Sequence, residues 1–332
     1  MKRCFTEERI TEKHRLEFDS KGWTQVDLML SKESIKIAIE GLEKIRKDSI
    51  LKDYKPRRIY YDHLISNNLS AIEIPFNKSI CNKNIHYLFQ KAKIGSLIKK
   101  LMGWEKPCCD LARLFCMNNF KYRGNWHRDY DCDLSKVQYS SSKRDFILAG
   151  IYLRNQKGFR ILKKEYDFNG QRTIVKNKEL DELIHSFAFP LSPPSDSFYE
   201  IEGKVGHVLF FDPLLLHQGS TYGSRLDFHM KFCESKEMTH TRNNFQDFDV
   251  IDILNEDFNL PKNSSEIKAF ENKYKIPFVK RDSISEKLRN SIDYRLGLRS
   301  ILKMNKIKNQ SYQLIKNEGW KIDWFSNTQW QQ

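Results

Sequence analysis

The sequence lacks a long apolar run and a paired cysteine motif, and these absences exclude several classes of protein. No stretch reaches the roughly 18 apolar residues that a transmembrane helix requires, so we expect no membrane-spanning segment. Residues 1–15 lack the apolar segment of a secretory signal peptide, which predicts a cytoplasmic protein. The 7 cysteines include no Cys-x-x-Cys pair, so we expect neither a thiolate zinc site nor a disulfide framework.

Acidic residues are also fewer than basic ones, with 43 Asp and Glu against 57 Lys and Arg and a net charge of +14. Such a balance attracts nucleic acid, an anionic membrane surface or an anionic small molecule. No predicted strand combines clustered arginine with interleaved aromatic residues, so no nucleic-acid partner is expected. The charge favours an anionic small-molecule, lipid or glycan substrate, while a coding bias toward surface Lys and Asn explains it equally well.

The hydrophobic pattern is helical before residue 105 and strand-like after it. Ser31 is a predicted N-cap for a helix over residues 31–48, and a second helical stretch over residues 82–103 ends at Gly103. A short strand is expected after a turn at Gly22. Beyond residue 105, short segments rich in β-forming residues predict strands at 111–120, 145–153, 158–162, 207–212 and 225–232. The absence of regularly alternating helices favours an antiparallel sandwich or barrel.

The predicted fold class is therefore mainly β with flanking helices (α+β), in three regions. Residues 1–105 form a helical and strand support region, and residues 106–235 form the β core with a loop or lid insert at 163–200. Residues 236–332 form a largely helical basic extension. Its apolar spacing over residues 284–302 predicts an amphipathic basic helix, which packs on the core or, alternatively, contacts an anionic membrane surface peripherally.

The segment GNWHRDYDCD, residues 124–133, places a histidine and an aspartate two residues apart. On extended backbone, His127 and Asp129 project to the same side and can occupy adjacent positions on an octahedral metal ion. Such a pair alone is more often structural. His217, at the end of the apolar run GHVLFFDPLLLH, is the best candidate for a third ligand. Two histidines and a carboxylate make up the facial triad of non-haem Fe(II) oxygenases.

The segment RLDFHMKF, residues 225–232, alternates strictly between polar and apolar side chains. Because strand side chains alternate between faces, the polar residues share one face. A polar face of this composition inside a β domain predicts the wall of a site, although an Asp227–His229 surface pair is the alternative. The polar face comprises Arg225, Asp227, His229 and Lys231, and the apolar face comprises Leu226, Phe228, Met230 and Phe232.

Together these segments resemble the phytanoyl-CoA dioxygenase family of Fe(II)/2-oxoglutarate oxygenases. NWHRDY resembles the first metal motif of that family, and GHVLFFDPLLLHQGS resembles the strand that carries its second histidine. FDSKGWTQVDLMLSKESI and ILAGIYLRNQKGFRIL are similar to its N-terminal opening and its central strand. The resemblance covers residues 17–234 and implies a double-stranded β-helix core, of the jelly-roll or cupin-like kind.

The resemblance implies that His127, Asp129 and His217 bind Fe(II). It further implies a reaction that consumes O₂ and 2-oxoglutarate, releases succinate and CO₂, and hydroxylates the substrate. An aspartate at position 129 argues against the halogenase variant, which needs an open site for chloride. Asp131 and Asp133 are expected to be loop residues.

For the 2-oxoglutarate co-substrate, the resemblance implies that Arg225 holds the distal carboxylate through a charge-assisted pair, with Lys231 as the alternative. Ser220 and Tyr152 are further candidate contacts, although a core position is an equal reading of Tyr152. Two other functional classes remain open: an oxygenase that acts on nucleic acid or protein, and a non-catalytic β-helix protein that only binds.

Overall fold

The computed structural model describes residues 9–50, 58–62, 68–75, 83–105, 107–123, 126, 146–163, 191–213, 215–233, 265, 319 and 321–322. Within them the helices are α1 (Glu12–Lys21), α2 (Lys32–Ile50), α3 (Lys83–Ala92) and α4 (Ile94–Met102). The strands are β1 (Trp23–Asp27), β2 (Arg58–Asp62), β3 (Asn68–Pro75), β4 (Cys108–Arg123), β5 (Phe146–Tyr152), β6 (Gln156–Leu162), β7 (Leu191–Ser192), β8 (Phe198–Gly203), β9 (His207–Phe211), β10 (His217–Gln218), β11 (Ser220–Cys233) and β12 (Lys321–Ile322). None of these four helices is long and apolar enough to cross a membrane.

Helix α2 begins where its capping residue predicts. The backbone N–H of Ser34 donates to Ser31 Oγ at 3.1 Å, which satisfies one of the N-terminal donors that a helix leaves unpaired. The turn at Gly22 is also confirmed. This glycine has a φ of 79° and its N–H donates to Phe18 O at 2.8 Å, so it ends α1 and directs the chain into β1.

The single helical stretch expected over residues 82–103 is wrong, because two helices meet at Lys93. This residue has a left-handed φ of 52°. Its N–H still donates to Phe89 O at 2.8 Å and its carbonyl accepts from Leu97 N at 3.0 Å. The backbone thus changes direction at one residue without losing these hydrogen bonds, a feature that the apolar spacing did not reveal.

Seven strands form a large antiparallel sheet in the order β1-β9-β5-β11-β4-β3-β2. Three of them, β1, β2 and β3, come from the region before residue 105. The helical reading of that region therefore missed β2 and β3, which extend the sheet beyond β4. The predicted strands after residue 105 are all present, and β4, β6 and β11 are longer than expected.

A small sheet in the order β10-β6-β8 completes the core. The chain passes from β5 in the large sheet to β6 and β8 in the small one, back to β9, and then again through β10 to β11. Such alternation between two antiparallel sheets is the double-stranded β-helix, so the predicted fold is confirmed. The predicted insert at 163–200 extends too far, because residues 198–200 begin β8; strand β7 within it pairs with β12.

The large sheet has two buried faces. Its outer face packs against the helices, where the rings of Phe89 in α3 and Phe228 in β11 lie 5.5 Å apart. Its inner face packs against the small sheet, where Phe211 of β9 contacts Phe159 of β6 at 5.0 Å. Burial on both faces fixes the register of each strand, since a slip of one residue would exchange the two faces.

Candidate active site

The polar residues of β11 line the inner face of the barrel and are called the polar row. They are Arg225, Asp227, His229 and Lys231. Cross-strand pairing places Asp227 opposite Tyr152, His229 opposite Gly150, and Lys231 opposite Leu148. These β11 side chains are buried, and Asp227 has no exposed surface at all. The predicted alternation of faces is therefore confirmed, and the alternative of a surface pair is wrong.

Arg225 and Asp227 form an ion pair within this interior. Nε of Arg225 donates to Oδ2 of Asp227 at 2.7 Å, and Nη2 donates to Oδ1 at 3.3 Å. Burial acts to raise the pKa of Asp227, but the charge of Arg225 and the contact with His229 outweigh it and hold that pKa well below its usual range. The carboxylate is consequently ionised at neutral pH, and Arg225 is held along one edge.

A second donor reaches the same carboxylate from the first residue of β6. Nε2 of Gln156 donates to Oδ2 of Asp227 at 2.7 Å, across 71 residues of sequence. Beside it, burial and the charge of Asp227 raise the pKa of Tyr152, so its hydroxyl stays protonated. The ring of Tyr152 lies so close to Gly203 that a Cβ at that glycine would be 2.7 Å from the ring carbon Cζ.

His229 is the next residue of the polar row beyond the Arg225–Asp227 ion pair. Its Nε2 lies 3.3 Å from Oδ1 of Asp227 and 3.4 Å from Nη2 of Arg225. A carboxylate only accepts and a guanidinium only donates, so Nε2 can serve one of the two at a time. A Cβ at Gly150 would lie 2.8 Å from this nitrogen, so the histidine needs a glycine on the neighbouring strand.

His217 lies on β10, buried in the same interior. Its Nδ1 is 2.9 Å from the carbonyl oxygen of Leu215, which can only accept, so Nδ1 carries the proton. A neutral ring in this tautomer carries its lone pair on Nε2. Metal-binding histidines characteristically donate their second nitrogen to a backbone carbonyl or carboxylate in this way, so His217 fits an Fe(II) ligand.

An aromatic ring connects His217 to the polar row. The ring centroid of Phe211 lies 5.1 Å from that of His217 and 6.4 Å from that of His229. The backbone of Gly219, two residues beyond His217, lies beside Arg225, and a Cβ there would be 3.9 Å from Nη1. The structure therefore brings together one predicted metal ligand and the predicted co-substrate arginine.

A chain of contacts leads from β10 to Trp126, the residue that precedes the HxD motif formed by His127 and Asp129. Nη1 of Arg160 donates to Oε1 of Gln218 at 3.4 Å, and the guanidinium lies 5.0 Å from the ring of Phe198. The ring of Phe198 packs at 5.4 Å against Trp126, which is buried. His127 and Asp129 themselves lie outside the described residues.

Two other candidates occupy different places on β11. Ser220 is the first residue of the strand, paired with Arg123. Lys231 lies six positions beyond Arg225, which is about 20 Å of extended chain, so these two cations cannot hold the same carboxylate. Among the described residues, no three His, Cys, Asp or Glu side chains converge as a metal site. Two of the three predicted ligands, His127 and Asp129, are not among those residues.

Sequence reasoning missed the residues that shape this interior. Nothing in the sequence around Gln156 indicates that it donates to a carboxylate 71 residues away. Gly150 did carry a signal, since a glycine within an apolar strand often marks the close approach of another group. The approaching group is the imidazole of His229.

Comparisons with known proteins agree with this architecture. No protein-family model matches the sequence, and no curated protein matches it. AviO1 from Streptomyces viridochromogenes Tue57 has a similar structure, with a TM-score of 0.50 and 12% identity over 70% of this chain and 98% of AviO1. EctD from S. alaskensis, solved with 2-oxoglutarate and 5-hydroxyectoine, has a TM-score of 0.48 and 16% identity over 69% of this chain and 77% of EctD.

A third similar structure is HygX from Streptomyces hygroscopicus, solved with iron bound, with a TM-score of 0.44 and 12% identity over 69% of this chain and 88% of HygX. At such identities, similarity establishes the fold. The described part of this chain is a double-stranded β-helix, as the sequence resemblance implied, and its fold is similar to that of AviO1.

Proposed function

We propose that this protein is an Fe(II)- and 2-oxoglutarate-dependent oxygenase. The observation that carries the proposal is the state of His217. It is buried in the barrel interior, and its Nδ1 lies 2.9 Å from Leu215 O, the arrangement by which metal-binding histidines are characteristically oriented.

The proposed metal ligands are His127, Asp129 and His217. Their support comes from both ends of the contact chain described above. Trp126 immediately precedes His127 in sequence, and Gln218 immediately follows His217. The side chains of Phe198 and Arg160 connect these two neighbours.

The proposed site for the distal carboxylate of 2-oxoglutarate is Arg225. This guanidinium is buried, lies beside Gly219 and is fixed in orientation by Asp227. Tyr152, which keeps its proton, is a proposed second donor, and Ser220 a third. Lys231 is less suited to bind this carboxylate, because it lies about 20 Å further along β11 than Arg225.

Bound Fe(II), 2-oxoglutarate and O₂ would supply the oxidising chemistry that no side chain of this protein provides. The protein contributes a preorganised interior. His217 enters as a neutral imidazole, the Arg225–Asp227 pair provides a fixed positive edge, and the aromatic rings around His217 exclude water. The expected outcome is hydroxylation of a small-molecule substrate, and the net charge of +14 favours an anionic lipid, glycan or similar compound.

The experiment measures succinate formed from 2-oxoglutarate in the presence of Fe(II), O₂ and fractionated metabolite pools. Two neighbouring carboxylates provide a matched pair, because only Asp129 belongs to the proposed ligand set. Succinate formation stimulated by one pool should persist in Asp131→Ala and fall to background in Asp129→Ala. Equal activity in both variants would refute the ligand assignment. No succinate from the wild-type protein with any pool would favour the binding-protein alternative.

A further inference from the structure

The Arg225–Asp227 pair is an unusual element for the interior of a β-barrel. Both charges are almost completely removed from water, at 3% and 0% exposure. Burying an ion pair costs much of what the attraction returns, so such a pair contributes little net stability compared with apolar packing. Its geometry, rather than its energy, is therefore the feature that needs a function.

Asp227 engages one specific edge of the guanidinium. Nε and Nη2 of Arg225 both donate to it, at 2.7 and 3.3 Å. This side-on arrangement fixes the plane of the guanidinium and turns Nη1 toward Gly219, next to the β10 strand that carries His217. A lone arginine of this length would otherwise sample several rotamers.

The carboxylate is itself held from a second side. Gln156 Nε2 donates to Oδ2 of Asp227 at 2.7 Å, the same oxygen that accepts from Arg225 Nε. His229 lies against Oδ1, in the space that Gly150 leaves open. Three residues on two strands, Arg225 and His229 of β11 and Gln156 of β6, thus restrict the position of one carboxylate. Through that carboxylate, Gln156 and His229 also restrict the position of Arg225.

We propose that Asp227 and Gln156 are positioning residues that hold Arg225 so that its Nη1 edge receives the distal carboxylate of 2-oxoglutarate. This inference rests on the proposed function and assigns a role within the same site. It makes a prediction opposite in sign to simple electrostatics. Removing a negative charge beside a bound carboxylate should tighten binding, whereas removing the group that orients its arginine should weaken it.

The test is calorimetric titration of 2-oxoglutarate into the Fe(II)-loaded protein without O₂. Asp227→Asn should raise the Kd about tenfold, as expected for the loss of one well-oriented charge-assisted hydrogen bond. Gln156→Met, which removes the support but keeps the ion pair, should raise the Kd by a smaller factor. Asp212→Asn is the matched control, because it changes a buried carboxylate that lies outside the polar row, and its Kd should equal that of the wild type.

A double-mutant cycle tests whether Asp227 acts through Arg225. Adding Asp227→Asn to Arg225→Ala should not raise the Kd further, since Asp227 then has nothing to position and only its repulsion of the bound carboxylate is lost. In turnover, the KM for 2-oxoglutarate should rise with little change in kcat. Gln156→Met supplies the comparison if Asp227→Asn does not fold.

Each result has a distinct meaning. Absence of 2-oxoglutarate binding by the folded wild-type protein overturns both the proposed function and this inference. Wild-type binding with an equal or lower Kd in Asp227→Asn, or in Gln156→Met when that variant alone folds, overturns the positioning role and leaves the proposed function standing. A weakening by Asp227→Asn that persists without Arg225 also overturns it.

Discussion

At the scale of single residues, Gly150 lies on β5 directly opposite His229 of β11. A methyl group at Gly150 would approach His229 Nε2 to 2.8 Å, closer than carbon atoms of real side chains come. The imidazole is enclosed by Asp227, Arg225 and the ring of Phe211, so it has little room to move away. The absence of a side chain at Gly150 thus makes space for the imidazole of His229.

Gly150→Ala should therefore lower the free energy of unfolding by about 1–3 kcal/mol, the usual cost of overpacking a core. Chemical denaturation measures this change. Gly219→Ala is the control, since its new methyl group would come no closer than 3.9 Å to Arg225 Nη1 and should leave stability nearly unchanged. Equal stability of Gly150→Ala and the wild type would show that the imidazole does not lie against this strand.

Asp227 predicts a pH dependence whose sign follows from its lowered pKa. A carboxyl group whose pKa is lower in the folded state contributes stability fully above its unfolded pKa of about 4. That contribution declines as the pH falls from there toward the folded pKa. Below about pH 4 the wild type should lose up to about 1.4 kcal/mol per pH unit more than Asp227→Asn. Denaturant unfolding at pH 5, 4 and 3 (values chosen about that window) tests this, and parallel pH profiles would contradict it.

At the scale of secondary structure, β11 combines two functions in one alternating strand. Its even-numbered residues from Leu226 to Phe232 face the helices, and its odd-numbered residues face the barrel interior. The sequence pattern alone predicts this division, because alternation is the local signature of a strand buried on two chemically different faces. It does not predict that the odd-numbered residues bond to one another, since those contacts depend on side-chain directions and on Gln156 from another element.

The division predicts that a change on the outer face affects stability but not binding. Phe228→Ala removes a ring that packs 5.5 Å from Phe89 and should cost about 3–5 kcal/mol of unfolding free energy. The Kd for 2-oxoglutarate, measured at a temperature where the variant is folded, should stay within about twofold of the wild type, because additivity holds for separate sites. A large loss of binding without loss of stability would show that the faces are not independent.

The helices and strands before residue 105 show where sequence patterns are insufficient. The cap at Ser31 and the turn at Gly22 are local features, so the sequence predicts both correctly. The break at Lys93 is also local but has no sequence signature, because a lysine rarely adopts a left-handed φ. Strand β3 pairs with β4, which is far along the chain, and β2 pairs with β3, and local propensity does not report such pairings.

At the scale of the whole molecule, the two sheets and the segments between them bring distant parts of the sequence to one interior. Phe198 of β8 lies between Trp126 and Arg160, and Arg160 reaches Gln218. This contact chain supports the proposal that the HxD motif and His217 serve one metal. The resemblance to an oxygenase family names the same ligands, but the supporting contacts emerge only from the packing of the sheets.

Phe198→Ala should therefore weaken Fe(II) binding by about tenfold, within the range for residues that support metal ligands from outside the coordination sphere. Tyr199→Ala is the matched control, because Tyr199 is the adjacent aromatic residue but contacts Trp23, at 5.8 Å, and not the chain to Gln218. Anaerobic competition with a chromogenic chelator measures both affinities. Equal losses in the two variants would attribute the effect to general weakening of β8.

The proposed function requires that the barrel interior at His217 hold Fe(II) together with 2-oxoglutarate. Anaerobic addition of both to the wild-type protein should produce the weak visible charge-transfer band of a 2-oxoglutarate–Fe(II) complex. His217→Ala should lack the band while remaining folded by circular dichroism, and Arg225→Ala should require a higher 2-oxoglutarate concentration to reach it. A folded wild-type protein that forms no such complex, or a His217→Ala variant that forms it as well as the wild type, would contradict the account.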